Sequence, residues 1–382
     1  MTTVLSIAPE IFEWIFRNIS ETSENQKAFM LLEQWKRGEK TPTFNKVEEV
    51  SKTLHVPLGY FFLRQPPQED YSFLQYRTVQ SEKYATPSRE LIDTVHDMVS
   101  IQDWMHEYVK RTEARILPIV GAGAHDTSVE ALTKRIRSDL DIKLNWFESS
   151  RDADASFKYL RERGEAAGII VMMNGIVGSN TRRSLNFEEF RAFTLIDEYA
   201  PLIFINATDT KNGQLFSLVH ELAHIWIGQN SVFNGSEFSL NGQGYIETKC
   251  NAVAAEILVP MEVFVNIWRG TQIKSAKDAI CQIARYFKCS TIVVARRALD
   301  QKYITKDEYN EITAVAIAKS CEVKTSSSGG NYYATMATRL DHRFLFALAS
   351  SIMDGTTLHT DAYRLTKTNR TTFSRLLEAV RG

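Results

Sequence analysis

Two hydrophobic patterns alternate along this chain. Long stretches place apolar residues three and four apart, and a short central zone runs apolar residues together. The first spacing lines one face of an α-helix, and the second fits short strands buried on both sides. Residues 1–65 read as all-helical. Ile11 to Ile19 is amphipathic, Trp35-Lys36-Arg37-Gly38-Glu39-Lys40-Thr41-Pro42-Thr43 interrupts the pattern, Phe44 to Leu54 resumes it, and His55 to Phe62 closes the unit. Residues 66–85, opening Pro66-Pro67-Gln68-Glu69-Asp70 and followed by Pro87, read as a linker. A long helix is predicted from Arg89 to Thr112, where Ile92, Val95, Met98, Ile101, Met105 and Val109 keep near-helical spacing. Gly121-Ala122-Gly123 is a turn and not a phosphate loop, because no Gly-Lys-Ser/Thr follows.

From Asn145 the pattern changes. Ala153 to Arg163 is helical, and Gly168 to Met173, Phe187 to Ile196 and Pro201 to Asn206 read as three short strands. The apolar run from Leu215 to Ile227 reads as a helix, with Asp209 or Thr210 as its N-cap and Gly228 at its end. Residues 229–244, rich in Asn, Gly and Ser, predict a loop. A second helix runs from Ile246 to Val259 and is stopped by Pro260. Residues 261–382 are mostly helical. Ala276–Phe287, Lys288-Cys289-Ser290 and Thr291–Asp300 have helix–turn–helix proportions, and Gly329-Gly330-Asn331 breaks the chain before a last helical pair with Lys367-Thr368-Asn369 at its turn. The expected class is α+β multidomain and mostly helical, with a small sheet and one special helix flanked by helical domains.

Composition adds boundaries. The chain has 382 residues, 44% hydrophobic and 24% charged, with a formal net charge of −1, so it has no overall pull toward nucleic acid or anionic membranes. No apolar run reaches the ~20 residues of a membrane span, and the first residues lack the basic start and small-residue cleavage site of a secretory signal. Cys250, Cys281, Cys289 and Cys321 make neither a disulfide framework nor a paired Cys-x-x-Cys zinc site, so the reading is a cytoplasmic protein with reduced thiols.

Inside the helix from Leu215 to Ile227 stands His220-Glu221-Leu222-Ala223-His224, a His-Glu-x-x-His pattern. Residues i and i+4 share a helix face, so both imidazoles can reach one metal ion, and Glu221 can take a proton from a metal-bound water. Together these are the minimum for metal-assisted hydrolysis of a peptide bond. Three strands ahead of such a helix resemble the zincin layout, in which an edge strand pairs with extended substrate.

Two imidazoles and a water leave a tetrahedral zinc site one protein ligand short. No third His follows at the metzincin spacing, since position 230 is Asn and no His lies between 225 and 341; a carboxylate on the next helix is the alternative, and Glu247 and Glu256 are the candidates. At ~100° per residue, Glu247 lies about 60° from the centre of that helix's apolar stripe and Glu256 about 120° away on the polar side. An acid inside an apolar stripe needs a strong partner, which favours Glu247. Asn251, one turn on, shares its face and could orient its carboxylate. Cys250 at the stripe's centre reads as a small buried hydrophobe, although its place also admits a thiol switch.

Residues Phe190-Arg191-Ala192-Phe193, Pro201 to Asn206, Phe216 to His224, Glu247 to Asn251 and Ala254 to Pro260 resemble the ImmA/IrrE family of metallopeptidases, closely over roughly 150–265. The resemblance implies that Glu247 is the third ligand, in agreement with the helix phase. It also implies regulatory proteolysis of a protein substrate: a small Xre-type repressor, controlling mobile-element or stress genes, or a cognate toxin in a toxin–antitoxin pair. The segment after Leu31 is similar to the Xre-type helix-turn-helix of phage repressors, in degenerate form. It carries 8 Lys plus Arg against 8 Asp plus Glu over residues 1–65, without the basic footprint of a DNA reader. Residues 270–330 have a mild basic excess.

The expected organisation is a degenerate Xre-like domain at 1–65, a linker and long helical region at 66–144, a zincin-like metallopeptidase domain at 145–265, and a helical domain with a helix-turn-helix-like segment at 266–382. The expected ion is Zn2+ held by His220, His224 and Glu247, with Mn2+ or Fe2+ as the other ions such donors accept. Glu221 is the expected general base and then the proton donor to the leaving amine. Tyr245, Tyr332, Tyr333, Arg339 and His342 are the candidates for stabilising the oxyanion. The alternative is a DNA-binding transcriptional regulator or antitoxin whose peptidase-like domain serves sensing, partner binding or dimerisation.

Overall fold

The computed structural model describes residues 5–67, 87–233, 244–322, 336 and 338–381, apart from 20, 22–24, 113, 114, 127 and 272–274. Most of the expected linker, the Gly329-Gly330-Asn331 break, Tyr332 and Tyr333 lie outside the described residues. The chain divides into two compact units, residues 1–93 and 94–382.

The first unit is built from α1 (Pro9–Asn18), α2 (Gln26–Lys36), α3 (Phe44–Leu54) and a 3-10 turn (Leu58–Phe62). Pro9 sits in the first turn of α1, where its missing N–H costs nothing. Trp35, read above as part of the interruption, belongs to α2 and is buried with Leu32, Ile11, Ile15, Val47, Val50 and Phe61. Its indole completes a small helical core, so the true break starts at Arg37.

The long helix α4 (Arg89–Thr112) crosses the boundary between the units. The second unit continues with α5 (Val129–Asp139), α6 (Ala153–Ala166), β1 (Ile170–Asn174), β2 (Ala192–Leu195), β3 (Leu202–Asn206), α7 (Lys211–Ile227), β4 (Ser231–Phe233) and α8 (Tyr245–Leu258). Then follow α9 (Met261–Gly270), α10 (Ala276–Phe287), α11 (Thr291–Asp300), α12 (Lys306–Glu322), α13 (His342–Met353), α14 (His359–Thr366) and α15 (Arg370–Arg381). The protein is mostly helical with one small mixed sheet, as its hydrophobic patterning implies. No single described helix is long and apolar enough to cross a membrane.

The sheet runs β1-β3-β2-β4, with β1 parallel to β3 and the other pairs antiparallel. Phe187 to Phe190 form a turn, so β2 is shorter than predicted, and Ser231 to Phe233 form a strand where a loop was expected. Three residues are too few to show a period of two, and only pairing with β2 makes β4 visible. Alternation then sorts the faces. Ala192, Ile203, Ile205 and Val171 turn into the core shared with α7, while Phe193 stacks on Phe204 on the other face with ring centroids 5.0 Å apart. From α4, the Gln102 amide donates to the carbonyls of Leu195 (2.9 Å) and Ala200 (3.0 Å), pinning the β2–β3 connection. One hydrophobic core runs from Ile119 to Ile312. Leu132 and Ile136 of α5 and Ile280 and Ile283 of α10 fill it together with α7 and α8.

The outer edge of β1 is closed by charge. The Val171 N–H donates to Asp341 Oδ2 (3.0 Å), and its carbonyl accepts from Arg161 Nη2 (2.9 Å). Arg161 also donates to the carbonyls of Thr338 (2.6 Å) and Leu340 (2.8 Å) and pairs with Glu165 (2.6 Å). The Asp341 carboxylate caps α13 through the Phe344 N–H (2.8 Å). The C-terminal segment is thus tied to α6 and β1 by a buried cluster of one cation and two acids.

Burial, and then the nearby Asp341 carboxylate, push the Glu165 carboxyl up to about 7 against the pull of Arg161. A folded value raised above the ordinary 4.5 means a stabilising contribution complete below pH ~4.5 and lost as pH rises through about 7. The thermal midpoint of wild type should therefore fall more steeply between pH 5 and pH 8 than that of Glu165→Gln. Parallel slopes for the two proteins would contradict this assignment.

Candidate metal centre

The site is carried by α7, whose start and end are both well determined. Thr210 caps it by accepting the Gly213 N–H (3.1 Å). Asp209, the other capping candidate, instead pairs with Arg191 (2.8 Å) and accepts the Thr210 N–H (2.7 Å). Gly228 ends the helix in the left-handed region at φ 79°, returning its N–H to the His224 carbonyl (2.8 Å). Every residue from Gln214 to Trp226 is buried. A helix buried all round can keep ionisable side chains only if neighbouring elements supply partners for them.

Those partners come first from α8. Glu247 Oε2 lies 3.2 Å from His220 Nε2, and its Oε1 lies 3.4 Å from His224 Nε2. The two imidazole Nε2 atoms are 3.1 Å apart. One ligand atom from each of His220, His224 and Glu247 falls within 4.8 Å of the others. His220 Nδ1 lies 3.0 Å from Asn251 Oδ1. An amide oxygen only accepts, so Nδ1 carries a proton and donates it to Asn251. Asn251 was expected to orient the Glu247 carboxylate. It orients the His220 ring instead, because its side chain points across to α7. Burial opposes ionisation of Glu247, but hydrogen bonds to His220 and then His224 outweigh it and hold the carboxyl well below the usual carboxylate range.

Glu256 lies elsewhere. Its carboxylate pairs with Arg297 of α11 (2.7 Å) and accepts the Met261 N–H (3.2 Å), so it ties α8 to the helices that follow. Cys250 is fully buried, and burial pushes its thiol up despite the opposing pull of His224, so it packs as a neutral thiol.

Glu221 is fully buried and faces the sheet. Its Oε2 accepts from Thr194 Oγ1 of β2 (2.6 Å) and from Ser231 Oγ of β4. Its Oε1 has no hydrogen-bond partner among the described residues. Sequence reasoning missed both hydroxyls. Thr194 left a trace as the lone polar residue in Ala192-Phe193-Thr194-Leu195, whereas Ser231 left none, since β4 itself was hidden.

The oxyanion candidates are dispersed. Tyr245 is the first residue of α8, two before Glu247, and is 72% exposed. Arg339 and His342 belong to the segment bonded to β1, which is two strands away from β2 in the sheet.

The donor set fits a divalent ion. Two imidazole nitrogens and a carboxylate converge, one imidazole has its Nδ1 held by a neighbour, and the buried Glu221 follows His220 with one carboxylate oxygen that has no partner among the described residues. Such a group can bind a cation and move a proton.

Residues 165–299 match the family model of the IrrE N-terminal-like domain (Peptidase_M78). The match takes in the whole sheet, α7, α8 and the helices through α11, and suggests a peptidase-like function for this part of the chain. Residues 340–379 match a domain of unknown function (DUF8813). No curated protein matches the chain.

Gly213 has a measurable structural role here. A Cβ at this position would overlap the Asp209 carboxylate, which Arg191 and the Thr210 N–H hold in place. Gly→Ala in a helix ordinarily gains about 1 kcal/mol. In this helix Gly213→Ala should lose about 1–3 kcal/mol through overpacking. Urea unfolding of the two proteins checks the sign, and a gain would show that Asp209 moves aside freely.

Proposed function

We propose that this chain is a zinc-dependent endopeptidase of regulatory type, with a zincin-like core formed by the sheet, α7 and α8. The observation that carries the reading is the convergence of His220, His224 and Glu247, with Glu221 following His220 and its Oε1 without a partner among the described residues. The match of residues 165–299 to a peptidase family supports the same reading.

In this account His220 and His224 offer their Nε2 lone pairs and Glu247 a carboxylate oxygen. Asn251 keeps the His220 ring turned inward. Zinc in such a site supplies Lewis-acid polarisation of a scissile carbonyl and lowers the pKa of bound water. Glu221 Oε1 accepts the proton of the attacking water and later returns it to the leaving amine nitrogen. The buried apolar surroundings, with Leu222, Val253 and Ala254 fully buried, keep bulk water from competing for these groups. The substrate is a protein, and by likeness to the family a small repressor of the Xre type or a cognate toxin in the cytoplasm.

The alternative of a DNA-binding regulator would use the Xre-like N-terminal segment or the basic helical segment that holds α10 and α11. Arg297 of that pair is buried against Glu256 and Arg296 is paired with Asp300 (2.9 Å), so neither is an unpaired cation for phosphate. The observations favour the hydrolytic reading.

Two outcomes test it. Asn251→Ala should weaken zinc binding by about 10–100-fold, measured by competition with a chromophoric chelator. Labelling of new protein N-termini in cells that express the chain should reveal cleavage products with wild type and none with Glu221→Gln, which keeps all three metal donors. Identical N-terminal profiles for the two would remove the peptidase assignment.

A further inference from the structure

Thr194 and Ser231 are directly opposed in the antiparallel β2–β4 pair. Opposed residues in such a pair send their side chains to the same face. Here that face is the one packed on α7, where Ala192 and Ile203 belong to the shared core. Two hydroxyls from different strands therefore meet one carboxylate from a helix, and all three side chains are buried, with relative exposures of 0% for Thr194, 4% for Ser231 and 0% for Glu221. Nothing in the His-Glu-x-x-His pattern requires this arrangement.

The chemistry of the arrangement is specific. A carboxylate oxygen has two lone-pair sites. Both sites on Glu221 Oε2 are taken, one by Thr194 and one by Ser231. The position left for a proton is Oε1, which is buried and has no partner among the described residues. An arrangement that served only to bury an acid safely would divide its two donors between the two oxygens, since an unpaired buried acceptor costs free energy. This one spends both donors on one oxygen and leaves the other bare.

We infer that Thr194 and Ser231 are positioning residues: they clamp Oε2 of Glu221 so that Oε1 alone takes up and releases the proton in peptide-bond hydrolysis. The inference rests on the hydrolytic reading above. Proton balance is simple. Oε1 gains one proton from the attacking water, the carboxylate becomes a carboxylic acid still held through Oε2, and the same proton leaves from Oε1 to the amine nitrogen of the departing peptide. Loss of the clamp lets the carboxylate rotate, so that either oxygen, or neither, faces the site.

The test uses the full chain loaded with Co2+, whose visible absorption reports both metal uptake and ligand binding. Acetohydroxamate is the probe, because a hydroxamate bound to the metal also hydrogen-bonds to an adjacent carboxylate. The variants are Thr194→Val, which keeps the side-chain volume, Ser231→Ala, the two combined, Thr194→Ser as the rescue, and Glu221→Gln as the reference. The expected result is about one cobalt per chain throughout and acetohydroxamate binding about tenfold weaker for each lost hydroxyl. Thr194→Ser should bind it like wild type, and the combined variant should approach Glu221→Gln. Should the combined variant not fold, Ser231→Ala alone carries the comparison. Wild-type affinity in the hydroxyl-free variants would overturn the inference, as would wild-type affinity in Glu221→Gln, since Glu221 would then not face the site. Failure of wild type to take up cobalt is a separate readout. It would remove the hydrolytic reading, and this inference with it.

Discussion

Helix α7 buries two imidazoles and a carboxylate within five consecutive residues, and the surrounding structure is arranged to satisfy them. None of His220, Glu221 and His224 is more than 1% exposed. Ionisable groups taken out of water need close partners or they destabilise the fold by several kcal/mol. The partners arrive from two sides. Helix α8 brings Glu247 and Asn251 to the imidazoles, and the sheet brings Thr194 and Ser231 to the carboxylate. The fold can therefore be understood as a cage around one polar stripe in an otherwise apolar helix. Among the described residues, Glu221 Oε1 has no hydrogen-bond partner.

The same reasoning explains what surrounds the cage. The α8 end that holds Glu256 is fixed by Arg297, which also donates to the Val259 carbonyl (3.1 Å), and Arg137 of α5 donates to the Ile257 carbonyl (3.0 Å). These bonds satisfy the last carbonyls of a helix that Pro260 ends. On the other side of the unit, Arg161 and Asp341 close the edge of β1 and bring the C-terminal segment into the fold. That segment coincides with the start of the second matched domain, so the two matched regions are joined by buried charge.

How much of this could be read from the chain depends on whether an element's own spacing carried the information. The i, i+4 histidines and the intervening glutamate were legible because helix geometry alone brings them together. Glu247, set apart by its phase within an apolar stripe, lies beside the imidazoles, and Glu256, placed on the opposite side, pairs with Arg297. The helix patterns of α1, α3, α4, α10 and α11 were strong enough to read with ends off by a residue or two. Asn251 was singled out but given the wrong partner, because a helical wheel says which face a residue is on and not which atom across the gap it meets. Ser231 was out of reach, since a strand of three residues has no period of its own and exists only through pairing with β2. Arg339 and His342 illustrate the converse. Both carry suitable chemistry, yet the ties of their segment to β1 place them two strands from Thr194.

The most direct test of the account is the metal content of the purified chain, measured by mass spectrometry for wild type, Glu247→Gln and Glu256→Gln. The account predicts close to one zinc per chain in wild type and in Glu256→Gln, and its loss in Glu247→Gln. A wild-type chain that holds no zinc after the ion is added back, or a Glu247→Gln chain that keeps it, would contradict the claim that these three side chains form a metal centre.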